Sequence, residues 1–333
     1  MKRLISILLI LLLFTTCKNN GTDPDDSDNS TSSVNSSSVT SSSSSSSSAY
    51  SDPLAAILSR DMVTVPGGTF TLTNNKNDDW LNNTISDFKI AKYEVTYELW
   101  YTVYTWATNN GYRFANTGRE GDDGTNGAVP TMEKYEPVTT ISWRDCIVWC
   151  NAYSEMADLT PCYINTNSDI IKDSTFENSF ECDNADCDWS VDGYRLPTEG
   201  EWQYAASYID GTNWTPYNYA SGATNNYSNA AACQEVAWYN GSTDRLHMVG
   251  QKKPNQLGIY DMSGNITEWC WDWSADWPDT IQTNYKGPDT GTYRIKRGGN
   301  WFKHAELLQL GRKSDGPLNS KNNIKGFRVA RSL

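Results

Sequence analysis

Cysteine and histidine are the residue types in this chain that could bind a soft metal, and their spacing does not form a zinc site. The 333 residues include eight cysteines and only two histidines, His247 and His304. No two cysteines have the Cys-x-x-Cys spacing that is typical of structural zinc sites. The sequence therefore gives no support for zinc binding.

Thiol chemistry is the other possibility. Besides Cys17 there are seven cysteines: Cys146, Cys150, Cys162, Cys182, Cys187, Cys233 and Cys270. Outside the cytosol an odd number leaves at least one unpaired, and connectivity cannot be deduced from sequence. Cys182 and Cys187 lie in one acidic loop and are predicted to form a local disulfide. Cys146, Cys150 and Cys270 are expected to be buried small hydrophobes.

The C-terminal end carries candidates for binding. The segment ending at Gly298-Gly299 and the closing segment 327–331 alternate apolar and charged residues, as half-buried strands of one sheet would. The polar run between them is typical of a loop region displayed on a rigid scaffold. We call residues 300–325 the display region, and predict that its contact surface lies within about 302–321. The predicted ligand-binding residues are Phe302, His304, Leu307, Ser314, Asp315, Leu318 and Ser320.

Other residues of this stretch are expected to be scaffold. Trp301, Phe327 and Val329 have the apolar character and spacing of core residues. Leu307 and Leu308 could also belong to the core, because adjacent leucines are more often buried than exposed.

Charge is distributed unevenly along the chain. The formal net charge is −13, yet residues 294–333 contain ten Lys and Arg against two Asp and Glu, so the remainder carries −21. A largely acidic protein is a poor partner for nucleic acid, while the C-terminal end is locally basic. The basic patch either faces a ligand or neutralises acidic neighbours within the fold.

The N-terminus predicts export and anchoring. Residues 1–16 combine a basic start with a short apolar run, as in a signal peptide, and the run ends at a relaxed lipobox before Cys17. Residues 17–55 are rich in Ser, Asn and Asp, so they form a flexible tether rather than a core. We predict lipidation of Cys17 and an anchor in the bacterial outer membrane or at the cell surface. An ordinary signal peptide is the alternative.

Three helix starts position the globular part, residues 60–333. Thr96, Ser142 and Thr198 each precede an apolar periodic stretch as an N-cap, and Thr198 forms a capping box with Glu201. An opening hairpin is predicted over residues 62–72, around a Gly-Gly turn. Between these elements, long loops rich in Trp and Tyr are expected to pack by burying aromatic rings.

Seven motifs occur in an order that resembles the formylglycine-generating enzyme (sulfatase-modifying factor) family. They are Pro66-Gly-Gly-Thr-Phe70, Lys92-Tyr-Glu-Val-Thr96, Pro137-Val with Ser142-Trp143, Arg195-Leu-Pro-Thr-Glu199 with Glu201-Trp202, Gly258 to Trp269, Arg297-Gly-Gly299 and Gly326-Phe-Arg328. The resemblance implies an α+β, C-type-lectin-like fold with few regular elements and long packed loops.

The resemblance also implies structural calcium. The ligands that carry over are the side chains of Asp261 and Glu268 and the backbone carbonyls of Gly264 and Ile266. Two carboxylates and two carbonyls from a tight turn are hard oxygen donors, as Ca²⁺ prefers. The alternative is a turn without metal.

The catalytic residues of the resembled enzymes do not carry over. Two cysteines that bind copper correspond here to Lys303 and Leu308, which cannot replace thiolates on Cu(I). Two histidines are also too few for the three-histidine site of related iron enzymes. We therefore expect no copper, no iron and no enzyme activity.

A second resemblance is to the variable proteins of diversity-generating retroelements, in particular the treponemal lipoprotein type. These end in a lectin-like domain with a Gly-Gly-Asn-Trp motif, a variable run and Gly-Phe-Arg. The resemblance implies a surface-displayed lipoprotein that binds an unknown protein or glycan ligand. Two alternatives remain open: a structural envelope lipoprotein, and an oxidase with an altered site.

Overall fold

The computed structural model describes residues 62–74 and 79–333, in which short strands and helices alternate with long loops. The strands are β1 (Met62–Val65), β2 (Gly68–Asn74), β3 (Asp79–Ile85), β4 (Phe88–Ala91), β5 (Arg119–Glu120), β6 (Val138–Thr139), β7 (Tyr163–Ile164), β8 (Asp186–Cys187), β9 (Thr267–Trp273), β10 (Gln282–Thr283), β11 (Arg294–Arg297), β12 (Ser314–Gly316), β13 (Lys325–Gly326) and β14 (Ala330–Ser332). The α-helices are α1 (Tyr97–Asn109), α2 (Trp143–Met156), α3 (Ser179–Asp183), α4 (Glu199–Ser207) and α5 (Ala230–Val236), with 3₁₀ turns at Phe176–Asn178 and Ala305–Leu307. The predicted α+β, C-type-lectin-like class with few regular elements is confirmed.

The predicted opening hairpin is wrong. β1 pairs antiparallel with β4, whereas β2 pairs with β3 in another sheet. The Gly-Gly link carries the chain from one sheet to the other, and the Gly67 N–H is fixed by Asp87 Oδ1 at 2.6 Å. The alternating pattern of β1 and β2 is compatible with a hairpin, but each strand pairs with a strand further along the chain.

The predicted helix starts are confirmed. The Thr96 hydroxyl accepts from the Leu99 N–H at 3.3 Å at the start of α1. Ser142 caps α2, and Thr198 with Glu201 forms the capping box of α4. Each cap satisfies backbone N–H groups that a helix leaves unpaired, which is why these local signals were readable in the sequence.

Aromatic rings fill the core between α1 and α2. Trp100 and Trp149 stack with ring centroids 5.8 Å apart and planes 4° from parallel, and Phe327 packs edge-on against both. Phe327 is fully buried and Val329 nearly so, as predicted. The C-terminal residues are thereby held by the first two long helices.

The display region leaves and re-enters one four-stranded sheet of order β12-β11-β9-β13. β9 lies at its centre, antiparallel to β11 and parallel to β13. β14 does not continue this sheet but pairs with β4. The two ends of the display region are therefore fixed to opposite sides of β9.

β11 is not the half-buried strand that its alternation predicts, because all four of its residues are buried. The Arg294 guanidinium lies over the ring of Trp143 at 3.8 Å and that of Trp273 at 3.6 Å. Arg297 forms an ion pair with Glu199 at 2.7 Å. Partners from distant segments let the charged side chains face inward.

Within the described ranges, none of the helices is long and apolar enough to cross a membrane. The predicted signal peptide, the lipidation site Cys17 and the tether lie outside the described residues.

Candidate functional site

A groove of about 600 Å³ opens beside β11 and β12. Its lining includes residues 298–300, directly after β11, and residues 312–315 at the start of β12. The remaining lining includes Asn74, Thr267, Asp276, Lys296, Lys303 and Leu307. The groove thus lies directly against the display region.

Three of the seven predicted ligand-binding residues, Leu307, Ser314 and Asp315, line this groove. Phe302 is 58% exposed and His304 is also exposed. Ser314 and Asp315 are exposed on β12, and both line the groove together with the half-buried Leu307. Ser320 is half-buried, and its hydroxyl contacts Lys325 Nζ.

Leu318 does not belong to the exposed set. Its side chain is 7% exposed and packs in the same core cluster as Trp143. The backbone N–H of Trp143 donates to the Leu318 carbonyl at 3.1 Å. The polar run around Leu318 has no apolar period that could have indicated this burial. Leu318 is therefore not part of the contact surface.

Trp301 and the adjacent leucines also differ from expectation. Trp301 is half-buried rather than in the core, although its backbone N–H donates to the Asn265 carbonyl at 2.9 Å. Leu308 is fully buried beside Ala220 and Tyr239, whereas Leu307 is half-buried in the groove lining. The leucine pair is therefore divided between core and surface.

Glycine is required at two positions of the groove lining, Gly298 and Gly299. Gly298 and Gly299 have φ angles of 94° and 71°, which other residues rarely adopt. A Cβ on Gly299 would lie 2.6 Å from the Leu307 carbonyl oxygen. The double glycine therefore lets the display region pack closely on its own scaffold.

The groove has an excess of positive charge. Its cationic lining residues are Lys296, Arg297, Lys303, Arg312 and Lys313, and its acidic ones are Asp276 and Asp315. Glu199 neutralises Arg297 at 2.7 Å, and Asp315 accepts from the Ser274 hydroxyl at 2.7 Å. The lining is thus suited to anionic groups of a ligand.

Lys296 is the most deeply buried lysine of the groove. It is 8% exposed, and its ammonium lies 5.3 Å from the centre of the Trp269 ring. Burial, followed by repulsion from Lys325, lowers the pKa of Lys296 to about 8. Among the described residues, no carboxylate lies within ion-pair distance of it.

The predicted calcium ligands lie at a buried acidic centre on the other side of β9. Asp261 is 2% exposed; its Oδ2 accepts from the Gly250 N–H at 2.7 Å, while its Oδ1 has no hydrogen-bond partner. Glu268 is fully buried and forms a two-point ion pair with Arg328, at 2.6 Å and 2.7 Å. The carbonyls of Gly264 and Ile266 belong to the same turn.

A third carboxylate, Glu94, joins this centre and was missed by the sequence reasoning. Its side chain is buried and accepts from Asn265 Nδ2 at 2.6 Å and from the Ile266 N–H at 3.2 Å. Burial, together with repulsion from Asp261 and Glu268, raises the pKa of Glu94 well above its ordinary value. Burial also raises the pKa of Asp261 to about 6. The unpartnered Asp261 oxygen and the buried negative charge favour a cation, but the carboxylate oxygens of Glu94, Asp261 and Glu268 do not all lie within 4.8 Å of one another. Both Glu268 oxygens are also engaged by Arg328. Calcium at Asp261 therefore stays a prediction.

The predicted Cys182–Cys187 disulfide is wrong. Both thiols are free and buried, and Cys182 contacts the Asp173 carbonyl at 3.4 Å. Cys187 instead shares a hydrogen bond with Cys162, because pairing of β7 with β8 brings these two segments together. That hydrogen bond lowers the pKa of Cys162, whereas burial raises that of Cys187.

Comparison with known proteins identifies the family. The model of the sulfatase-modifying factor enzyme 1-like domain matches residues 49–333, which is most of the chain. The chain belongs to this family.

Its relatives in the family differ in what their names describe. The Paenibacillus barcinonensis chaperone protein LppX is 34% identical over 302 residues, which is 83% of this chain and 90% of that protein. The Thermomonospora curvata formylglycine-generating enzyme is 31% identical over 155 residues, which is 41% of this chain and 49% of the enzyme.

Solved structures place the family fold over the same region. Treponema denticola variable protein 1 aligns with a TM-score of 0.65 and 30% identity over 82% of this chain and 95% of that one. CarF aligns with a TM-score of 0.62 and 25% identity over 82% and 98%.

Sequence reasoning missed Glu94 at the buried acidic centre around Asp261 and Lys296 in the groove. Both occur in motifs or strands that the sequence pointed to, Lys92-Tyr-Glu-Val-Thr96 and β11. The missing signal was burial, because the alternating pattern of β11 predicted an outward lysine. The role of Arg328 as the partner of Glu268 was equally unreadable, since 60 residues separate the two in the chain.

Proposed function

We propose that this chain is a non-catalytic ligand-binding lipoprotein that uses the groove and the exposed display residues as its contact surface. The observation that carries the proposal is the separation of exposure within one short stretch. Ser314 and Asp315 are exposed in the groove lining, and Phe302 and His304 are exposed on either side of the lining residue Lys303 in the chain. Phe327 and Val329, which follow the display region, are buried. An exposed aromatic beside polar side chains combines an anchor with adaptable hydrogen bonding.

The positive lining suggests the class of ligand. Lys296, Lys303 and Arg312 line the groove without an ion pair among the described residues, and Lys313 lies 3.8 Å from Glu199. A carboxylated or sulfated glycan, or an acidic segment of a protein, would supply the missing negative charge. We therefore propose an anionic protein or glycan ligand.

The residue types at the positions where the resemblance expects the copper cysteines support a binding role. Lys303 lines the groove and Leu308 is fully buried, at the two positions that correspond to the copper cysteines. The sequence contains no cysteine after Cys270. Two relatives with broad coverage are named as a variable protein and a chaperone, which agrees with a function other than oxidation.

The same proposal includes display and diversification. A signal peptide over 1–16, lipidated Cys17 and the tether 17–55 would hold the domain away from the outer membrane at the cell surface. A retroelement would vary the codons of the display region while the double glycine and Gly326-Phe-Arg328 persist. DNA downstream of the gene is expected to contain a near-copy of the codons for residues 298–328 that differs mainly at adenines; its absence would contradict diversification but not binding.

Binding is tested by removing the exposed anchor. We expect the double variant Phe302→Ala with His304→Ala to lose binding to the anionic glycans or acidic peptides that the wild type selects from a glycan array and a peptide display library. The melting temperature should change by only a few degrees, because the changes are at the surface.

The matched control is Phe176→Ala with Phe180→Ala, which removes two phenylalanines that are 85% and 71% exposed outside the groove. This control should bind as the wild type does. Unchanged binding by the Phe302 and His304 variant would overturn the proposal and favour a structural envelope role.

A further inference from the structure

The loop that connects β5 to β6 gathers three carboxylates outside the two centres described above. Ligand oxygens of Asp122, Asp123 and Glu136 lie within 4.8 Å of one another. Asp123 is exposed and Asp122 half-buried, whereas Glu136 is 2% exposed. Carboxylates so close together repel one another unless a cation lies between them.

Glu136 supplies an independent sign of a missing ligand. Its Oε1 accepts from Arg245 Nη2 at 2.8 Å, but its Oε2 is buried without any hydrogen-bond partner. That oxygen lies against Gly121, where a Cβ would overlap it, so glycine leaves the room that the oxygen needs. Gly121 has a φ of 58° and directly precedes Asp122. A buried carboxylate oxygen with no partner is costly and requires an explanation.

The nearby cations do not neutralise the cluster. Arg245 is shared between Glu136 and Glu133, at 2.8 Å and 3.1 Å. Arg119 donates to the backbone carbonyl of Asp122 rather than to a carboxylate. Among the described residues, the side chains of Asp122 and Asp123 form no ion pair.

We propose that Asp122, Asp123 and Glu136 bind a calcium ion, at a site separate from the one predicted at Asp261. Three carboxylates provide hard oxygen donors, and water completes the roughly six to eight ligands that Ca²⁺ takes. The exposure of Asp123 gives the ion a path from solvent.

The site would also stiffen the end of the display region. Asn323 Nδ2 donates to the Asp122 carbonyl at 3.3 Å, and the Thr140 N–H donates to the Asn322 carbonyl at 3.0 Å. Binding at the loop therefore fixes the segment against which residues 322–323 lie. This inference does not depend on the proposed ligand-binding function.

Calcium titration of the purified full-length protein tests the site. We expect Asp123→Asn and Glu136→Gln each to weaken one calcium-binding event by at least tenfold in isothermal titration calorimetry. The exposed Asp123 is the decisive position, because Glu136→Gln could also disturb folding. The controls are Asp289→Asn, an exposed acid elsewhere, and Asp261→Asn, which addresses the other predicted site; neither should alter this event.

A second readout locates the ion. Calcium should slow amide hydrogen exchange in residues 120–124 and 322–324 of the wild type but not of Asp123→Asn. An unchanged calcium isotherm in Asp123→Asn, or calcium binding lost only in Asp261→Asn, would overturn the proposal. Equal affinity for Mg²⁺ would overturn the assignment to calcium.

Discussion

At the scale of single residues, Lys296 is a buried lysine of the groove with no carboxylate in ion-pair distance among the described residues. Its ammonium lies over Trp269, and Lys325 lies over the same ring at 5.7 Å. Two buried cations facing one indole destabilise the free protein, because each loses hydration and repels the other. An anionic ligand would relieve both effects, so ligand binding gives a functional reason for the loss of stability in the free protein.

Replacing Lys296 separates stability from binding. The pKa of Lys296 is about 8 in the folded protein, below its ordinary value of 10.5. Between pH 8 and pH 10.5 the unfolded chain therefore keeps the Lys296 proton while the folded protein loses it. The destabilisation is therefore fully present below pH 8 and disappears as the pH rises towards 10.5. We expect Lys296→Met to raise the free energy of unfolding at pH 7 by about 1–3 kcal/mol and to flatten its rise between pH 8 and 10.

Urea denaturation at pH 7 and pH 10 measures this effect. The same variant should lose affinity for the anionic probes selected by the wild type. A variant that is less stable at pH 7, or that keeps the wild-type pH slope, would contradict the interpretation of Lys296.

At the scale of elements, a tight turn before β9 gathers the acidic centre. Asp261 and Asn265 have φ angles of 57° and 53°, and Gly264 has 88°. This conformation directs Asp261 towards Glu94 on the segment after β4, while Arg328 reaches Glu268 from the segment before β14. The turn thereby connects two sheets through charged groups that one cation could balance.

Calcium at this turn is expected to stabilise the fold. Because the unfolded chain lacks the assembled site, calcium at 100 times its Kd would add about 2.7 kcal/mol. Chelation should lower the melting temperature of the wild type more than that of Asp261→Asn, measured by calorimetry. Equal lowering in the two proteins would place any calcium elsewhere, for example at Asp123.

At the scale of the whole molecule, the domain has the fold of the sulfatase-modifying factor enzyme 1-like family. Basic side chains line its groove, and the buried Leu308 is one of the two residues that the resemblance aligns with the copper cysteines. Fold alone does not determine function, so activity and location require separate tests.

Activity is tested with a sulfatase-motif peptide. We expect the purified protein, supplied with copper and reductant, not to convert the peptide's cysteine to formylglycine, because soft thiolate ligands are missing. Mass spectrometry of the peptide is the measurement. Conversion above a no-protein control would restore the oxidase interpretation.

Location is tested at Cys17. Metabolic labelling with a fatty acid should mark the wild type and not Cys17→Ala, since the thiol is the proposed attachment point. Cys233→Ala is the control, because a buried thiol should not affect labelling. Equal labelling of wild type and Cys17→Ala would contradict the anchor.

The sequence by itself determined what depends on near neighbours in the chain. Thr96, Ser142 and Thr198 each cap a helix by accepting from the backbone N–H three residues further on, so their patterns were sufficient. Ordered motifs gave the α+β family fold, and the polarity of the run after Trp301 predicted exposure at Phe302 and His304.

The tertiary structure decided everything that depends on distant partners. Leu318 is buried because its segment is hydrogen-bonded to the start of α2 and its side chain joins the core cluster that contains Trp143. Arg294 faces inward because three indoles receive its charge. Cys187 lies beside Cys162 rather than Cys182 because β7 and β8 pair. Burial and ion pairing are properties of segments brought together by folding, and a pattern along one strand does not contain them.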